Sequence, residues 1–176
     1  MRKFMFVALA AALGTIGFAG QAEAQLRPWE ISIAGGPTFT TGDFSEVAGT
    51  GYHVQGSIGF GVPMLPFSLR ADALWQEVPA EVGDEYYRQI GGLVNATFGI
   101  PLVLIEPYGL LGAGYLNTDS PISDDDEWRP GINAGLGVEF PFMGLAGFAE
   151  ARYLNLLGSN EAKMFQSIPV SVGIRF

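Results

Sequence analysis

The last ten residues, Ser167-Ile168-Pro169-Val170-Ser171-Val172-Gly173-Ile174-Arg175-Phe176, alternate strictly between two kinds of side chain. Successive side chains of a β-strand point to opposite faces, so this segment has one uniformly apolar face and one small or polar face. The apolar face carries Ile168, Val170, Val172, Ile174 and Phe176. Such a strand suits a transmembrane β-barrel, because its lipid side must be apolar while its lumen side accepts charge.

The first 24 residues have the pattern of a cleaved secretory signal peptide. Met1-Arg2-Lys3 is a short basic start, residues 4–19 are almost wholly apolar, and Ala22-Glu23-Ala24 has the small-residue pattern of a signal-peptidase site. The apolar run is shorter than the stretch of about 20 residues that a membrane anchor helix needs. The sequence therefore predicts a signal peptide at residues 1–24 and one mature domain at residues 25–176.

The mature chain is acidic and has no cysteine. Removing residues 1–24, which hold two basic and one acidic residue, leaves 17 acidic and 7 basic residues and moves the net charge from −9 to −10. This balance argues against a nucleic-acid partner, because phosphate binding needs a surplus of lysine and arginine. The 25 glycines and 12 % aromatic residues, without an amphipathic helical period, indicate an all-β chain.

Eight segments of similar length are predicted to form strands. Each is near the length of about 9 to 11 residues that a tilted strand needs to cross the hydrocarbon layer. The second, fourth and sixth strands each end at an apolar residue followed by a proline, which predicts a tight turn; the prolines are Pro63, Pro101 and Pro141. The odd-numbered strands are followed by longer polar segments, at 40–51, 77–87, 117–130 and 155–164. The predicted strands are residues 29–39, 52–62, 67–76, 88–100, 108–116, 131–140, 145–154 and 165–176. The predicted fold is an eight-stranded antiparallel up-and-down transmembrane β-barrel with short turns at one rim and long loops at the other.

Charged residues of these strands are predicted to face the lumen. An arginine facing lipid near the bilayer midplane would cost about 2–4 kcal/mol, so the solvent dictates this sorting. An eight-stranded barrel is only wide enough for its own side chains, and buried charges need partners. We therefore expect a salt-bridge network that fills the lumen, with a narrow ion or small-solute channel as the alternative. The predicted interior polar network comprises Glu30, Arg70, Asp72, Glu139, Glu150, Arg152 and Arg175.

Together these features resemble the small OmpA/OmpX-like outer-membrane β-barrel family. The resemblance rests on the signal peptide, the eight alternating segments, the Arg70-Ala71-Asp72-Ala73 and Glu150-Ala151-Arg152-Tyr153 patterns, and the final Arg175-Phe176. It implies a protein of the Gram-negative outer membrane, expected to be a monomer, that contacts membrane lipid and lipopolysaccharide. It also implies that the barrel-assembly machinery reads Phe176 during biogenesis, and that the role is structural or one of surface interaction through the loops.

His53 is the only histidine and is predicted to face the lumen. Enzymes built on small outer-membrane barrels need a histidine beside a nucleophile or carboxylates, and His53-Val54-Gln55 lacks the His-x-Ser arrangement of the lipid A deacylases. General-base catalysis requires partner residues positioned beside the histidine, and no pattern in this sequence predicts them. We therefore predict no catalytic residue and no cofactor, with a lipid-modifying enzyme as the less favoured alternative.

Residues 117–127 hold five acidic residues in eleven positions. Carboxylate oxygens are ligands for Ca²⁺ and Mg²⁺, but the segment lacks the Asp-x-Asp-x-Asp-Gly spacing of an EF-hand loop, and runs of like charge are usually solvated. The weak candidate metal ligands are Asp124, Asp125, Asp126 and Glu127. Acidic loops of this kind are also predicted to bridge to lipopolysaccharide through divalent cations.

Aromatic residues near the predicted strand ends are predicted to form interfacial girdles. They are Trp29, Phe39, Tyr52, Trp75, Tyr87, Tyr108, Tyr115, Trp128 and Tyr153.

Overall fold

The computed structural model describes residues 29–46, 48–61, 67–80, 85–120, 123–158 and 165–176. The predicted signal peptide at residues 1–24 lies outside them. Eight strands form a closed antiparallel barrel in chain order, which confirms the predicted fold. The strands are β1 (Trp29–Thr40), β2 (Gly51–Gly61), β3 (Phe67–Pro79), β4 (Tyr86–Gly99), β5 (Glu106–Ser120), β6 (Ser123–Phe142), β7 (Leu145–Leu156) and β8 (Gln166–Arg175).

The barrel closes where the first and last strands meet. β1 pairs with β8 in the register Ser32↔Arg175 and Ile33↔Ile174. Beyond this ladder, the Phe176 amide donates to the Ile31 carbonyl at 2.8 Å, so pairing continues to the last residue. A closed barrel satisfies the backbone of every strand internally, as hydrocarbon surroundings require. Within the described residues, no helix has the length and apolar character to cross a bilayer.

The outer wall is apolar and the inner wall carries the charge. Val94, Leu136 and Val172 are 61 %, 74 % and 65 % exposed, whereas the inward-facing Arg70 and Glu150 are buried. This is the reverse of a soluble protein, in which apolar side chains face inward and charges face outward. The sorting follows from the period-two alternation of the strands once the first residue of each is fixed.

The two ends of the barrel carry connections of less contrasting length than predicted. We call the end with connections 62–66, 100–105 and 143–144 the turn rim. The opposite end, with connections 41–50, 80–85, 121–122 and 157–165, is the loop rim. The predicted long loop at 117–130 is wrong, because β5 and β6 continue as a hairpin through the pair Thr118↔Glu127. Within the predicted loop at 77–87, residues 77–79 and 86–87 are likewise paired in the β3–β4 ladder.

Aromatic pairs lie on the outer wall towards both rims. Tyr52 and Trp75 have ring centroids 5.5 Å apart near the loop rim. Near the turn rim, Trp29 and Phe60 are 5.0 Å apart. The girdle prediction is wrong for Tyr87 and Tyr108, which are buried at 4 % and 7 % exposure. Both tyrosines have inward parity in their strands, and an inward position decides the environment of a side chain more strongly than closeness to a strand end.

Candidate functional site

Four charged side chains from two opposite strands meet in the middle of the lumen. β3 contributes Arg70 and Asp72, and β7 contributes Glu150 and Arg152. Residues two apart on one strand share a face, so each strand presents one acid and one arginine side by side. All four are buried, at 2–4 % exposure. We call these four residues the ion cluster; its formal charges cancel.

The ion cluster has contacts across the barrel, between β3 and β7, and one contact along each of these strands. Arg70 donates two hydrogen bonds to Glu150, from Nη1 to Oε2 at 2.9 Å and from Nη2 to Oε1 at 3.2 Å. Arg152 Nη1 donates to Asp72 Oδ2 at 2.6 Å, and Arg152 Nε donates to Glu150. Arg70 Nε lies 3.0 Å from Asp72 Oδ1. Each carboxylate therefore contacts both guanidinium groups, which is the pairing that a buried charge requires.

Neutral polar side chains complete the shell of the ion cluster. Tyr108 from β5 donates its hydroxyl to Glu150 Oε2 at 2.8 Å. Asn95 from β4 donates to Asp72 Oδ2 at 2.9 Å, and Arg152 donates to Gln55 Oε1 of β2 at 2.8 Å. Five strands thus contribute to one hydrogen-bonded network, so the ion cluster ties together opposite sides of the wall.

Glycines on the inner wall make room for these large side chains. A Cβ atom on Gly137 of β6 would collide with the ring of Tyr108, and one on Gly112 of β5 would collide with the Asn95 amide. Close approach of this kind is a reason for glycine inside a strand. The glycine content of the chain therefore reflects, in part, the limited space inside an eight-stranded barrel.

The other three predicted lumen charges form a second group near the turn rim. Arg175 of β8 donates to Glu139 of β6 and lies 3.5 Å from Glu30 of β1. These side chains are more accessible than the ion cluster, at 17 % for Arg175, 22 % for Glu139 and 48 % for Glu30. The Arg175 guanidinium also lies 5.5 Å from the centre of the Phe148 ring. The structure thus divides the predicted network into a buried central part and a half-exposed part at the lumen mouth.

His53 lies on the inner wall with hydroxyl groups at both ring nitrogens. Nδ1 is 3.0 Å from Thr38 Oγ1, and Nε2 is 2.8 Å from Ser171 Oγ. The structure therefore places a serine hydroxyl beside the histidine, which the sequence motif did not indicate. Both His53 and Ser171 are almost completely buried, at 1 % and 0 % exposure. The pair faces the lumen and not the lipid side of the wall.

A layer of leucines closes the lumen between the ion cluster and the loop rim, and sequence reasoning missed it. It consists of Leu74, Leu93, Leu116, Leu154 and Leu156, each at most 3 % exposed. The signal was available in two strands, since Leu74 has the parity of Asp72 and Leu154 has the parity of Arg152. This apolar layer separates the polar network beneath it from the loop rim.

Above the leucine layer, the β1–β2 connection folds into the barrel mouth. A 3-10 helix at Gly42–Glu46 carries Phe44, which is 2 % exposed. Its ring packs 5.3 Å from that of Tyr87 and 4.8 Å from that of Phe165. Ala48 and Val78 join this aromatic group. The loop-rim end of the lumen is therefore covered by apolar side chains.

Some buried polar atoms near the ion cluster lack a protein partner. They include Ser57 Oγ of β2 and both amide atoms of Asn133 on β6. Buried polar groups are almost always hydrogen-bonded, and ordered water supplies the bond where protein does not. These atoms mark the part of the lumen that is suited to hold water.

No group of three or more potential ligands is placed to hold a metal ion within the part of the chain that the structure describes. The side chains of the candidate ligands Asp124, Asp125, Asp126 and Glu127 lie outside that part. Phe176, the predicted assembly signal, lies at the turn rim, 49 % exposed.

Solved structures match this fold, although no protein-family model and no curated protein sequence matches the chain. Neisserial surface protein A has a TM-score of 0.62 and 16 % identity, with 84 % of this chain and 96 % of that chain covered. The N-terminal β-barrel domain of Pseudomonas aeruginosa OprF has a TM-score of 0.52 and 18 % identity, with 86 % and 100 % covered. The outer-membrane enzyme PagL has a TM-score of 0.53 and 13 % identity, with 84 % and 98 % covered. The chain therefore has the fold of the small outer-membrane β-barrels.

These structures include a surface protein and an enzyme on one scaffold. The fold alone consequently leaves the function open.

Proposed function

We propose that this protein is an integral outer-membrane barrel with a structural or surface-interaction role through its loop rim. The observation that carries the proposal is the sorting of side chains, with an apolar outer wall around a charged interior. A barrel with this arrangement is stable only where hydrocarbon surrounds it. Export to the Gram-negative outer membrane after removal of residues 1–24 is part of the proposal, as is assembly directed by Phe176.

A filled lumen supports an interaction role over a transport role. The ion cluster occupies the centre, the leucine layer lies above it, and Phe44 covers the loop-rim end. An ion would have to displace apolar side chains and break paired charges to pass. Loops held on a rigid scaffold are the usual location of recognition in such a protein.

The loop rim carries most of the excess negative charge. By sequence, segments 43–46, 77–88, 117–129 and 157–165 hold twelve acidic and three basic residues. We propose that divalent cations bridge this rim to the phosphates of lipopolysaccharide. EDTA should then lower the thermal stability of the protein in lipopolysaccharide-containing vesicles and not in phosphatidylcholine vesicles. Equal stability in both after EDTA would contradict the bridging.

A narrow channel is the second candidate, and the unpartnered atoms of Ser57 and Asn133 favour it. They indicate hydration near the ion cluster, and a hydrated pocket is the starting point of a conduction path. For the channel to operate, the leucine layer would have to open.

Single-channel recording in planar bilayers separates the two candidates. We expect no steady current from the mature protein, with a difference in gel mobility between unboiled and boiled samples as the control for folding. Small, reproducible conductance steps that change when Arg152 or Glu150 is neutralised would contradict the closed lumen and favour the channel.

A non-catalytic role is also part of the proposal. The burial of His53 and Ser171 inside the wall supports it, since a lipid substrate would approach from the outer side. Incubation of the refolded protein with lipopolysaccharide and phospholipid should release no fatty acid. Release that is abolished by His53→Asn would overturn this part of the proposal.

A further inference from the structure

The turn rim exposes large apolar side chains beyond the ends of the strands. In the β4–β5 connection, Val103 is 98 % and Leu104 is 75 % exposed, and in the β6–β7 turn Met143 is 90 % exposed. Ile100 and Leu102 are also exposed, at 64 % and 57 %. A turn that lies in water normally carries polar residues, so these surfaces require a covering.

The outward-facing residues of β4 lead directly into this exposed connection. The outward positions of β4 run from Ile90 through Val94 to Phe98, and Ile100 follows with the same parity at the start of the connection. Ten residues at about 3.3 Å each, tilted by about 40°, span about 25 Å along the barrel axis, which already equals the usual height of the lipid-facing band. Val103 lies beyond this ladder, so the apolar face on this side of the barrel is taller than the band.

The charged residues that the structure describes at this rim lie on the lumen side of the wall. Glu139 contacts Arg175 at the lumen mouth, and Glu106 lies directly opposite Glu139 in the β5–β6 ladder. Directly opposed residues of paired strands share a face, so Glu106 is on the lumen face as well. A rim immersed in water would have no reason to reserve its outer surface and its turn tips for apolar residues.

The β6–β7 turn carries a residue that its backbone conformation disfavours. Met143 and Gly144 have φ angles of 49° and 82°. Two-residue hairpin turns with positive φ at both positions strongly prefer Asn, Asp or Gly. Methionine at the first position gains nothing from the turn geometry, so its apolar side chain must be favoured by the surroundings.

The backbone of the β4–β5 connection is suited to apolar surroundings. The Ile100 amide donates to the Pro107 carbonyl at 2.9 Å, and the Leu102 amide donates to the Ile105 carbonyl at 3.1 Å. Pro101 has no amide hydrogen to satisfy. Internal pairing of this kind lowers the cost of placing a connection at the hydrocarbon boundary.

From these observations we infer that residues 100–105 and 142–145 form a membrane anchor, embedded in the phospholipid leaflet at the turn rim. The inference rests on the proposed function, since it assumes that the barrel spans a bilayer. The occupant is lipid and not a protein, because the exposed connections follow directly on the apolar outer wall and the described charged residues at this rim lie on the lumen side. The anchor would fix the depth of the barrel in the bilayer.

A cysteine ladder tests the depth of the anchor directly. The chain has no cysteine, so single substitutions can carry a nitroxide label in phosphatidylcholine vesicles. Val103→Cys probes the anchor, Val94→Cys probes the middle of the outer wall, and Ser45→Cys probes the exposed loop rim. We expect the label at 103 to be accessible to oxygen and shielded from a water-soluble nickel complex, as at 94, with the opposite result at 45.

The outcomes separate the anchor from the proposed function. A label at 103 that is as accessible to nickel as the label at 45, with 94 still shielded, overturns the anchor and leaves the membrane barrel intact. Nickel access at 94 overturns the membrane barrel itself.

Met143→Asn provides a second test, in which the direction of the change in the urea midpoint of unfolding distinguishes water from hydrocarbon surroundings. Asparagine suits the positive φ of this position, so in water the exchange would leave the urea midpoint of unfolding unchanged or raise it. In hydrocarbon the polar amide is unfavourable, and we expect a lower midpoint in vesicles. A raised or unchanged midpoint in vesicles would overturn the anchor at this turn.

Discussion

Replacing Glu150 with glutamine should destabilise the barrel strongly. Glu150 accepts hydrogen bonds from Arg70, Arg152 and Tyr108, so its carboxylate is the acceptor for three buried donor groups. Glutamine has nearly the same size but carries no charge and turns one acceptor oxygen into a donor. The ion cluster would then hold two guanidinium groups against the single carboxylate of Asp72.

The magnitude follows from burial. Removing one partner of a buried ion pair typically costs about 3–5 kcal/mol, because the remaining charge is left uncompensated where water cannot reach it. Arg70 and Arg152 are at most 4 % exposed, and the leucine layer separates them from the loop rim, so we expect a loss in this range. The double variant Arg70→Leu with Glu150→Leu restores neutrality and should recover most of the loss.

Equilibrium unfolding in urea measures this prediction in lipid vesicles, with tryptophan fluorescence and gel mobility as independent readouts. Glu77→Gln is the matched control, because Glu77 pairs with Arg88 at 3.4 Å at a site where Arg88 is 51 % exposed. An exposed pair of this kind contributes about 0–1 kcal/mol. A cost for Glu150→Gln no greater than that for Glu77→Gln would mean that water reaches the ion cluster and that the lumen is not closed.

Two further substitutions test the packing of the lumen. In the same urea titration, Gly137→Ala should lower the unfolding free energy by about 1–3 kcal/mol, because its methyl group would displace Tyr108. The control is Gly56→Ala, whose methyl group meets no atom within 4 Å and whose unfolding free energy should stay within about 0.5 kcal/mol of wild type. Phe44→Ala should cost about 3–5 kcal/mol through the loss of its contact with Phe165, measured by thermal unfolding in vesicles; a change below about 1 kcal/mol would mean that the β1–β2 connection does not cover the lumen.

The fold could be predicted because the solvent imposes a simple rule on every strand. Where one face meets lipid and the other meets the lumen, residues must alternate, and the alternation marks both the strand and its orientation. The rule stops where both faces meet water. The β5–β6 hairpin extends past the membrane as far as Ser120 and Ser123, and its polar residues there resemble a loop in sequence although they are paired as strands.

The lumen charges could be assigned to a face, but their partners could not be predicted. Parity places Arg70 and Glu150 inside, yet they come from strands 80 residues apart, and which pairs meet depends on the stagger of strands around the barrel. The contact of Arg175 with Glu30 likewise exists only because β8 closes against β1. The pairing of His53 with Ser171 has the same origin, so no local motif could reveal it.

The distribution of charge along the barrel axis connects the two proposals. The ion cluster is neutral, and the lumen mouth at the turn rim holds Glu30, Glu106, Glu139 and Arg175, so most of the mature net charge of −10 falls on the loop rim. The turn rim has an apolar outer surface instead. A barrel with one strongly hydrated end and one lipid-anchored end cannot move far along the membrane normal. Movement towards the turn rim would bury the charges of the loop rim in the bilayer, and movement towards the loop rim would expose the apolar surface of the turn rim to water. The proposed anchor would thus hold the acidic loop rim at a fixed height above the bilayer, which is the placement that the proposed surface-interaction role requires.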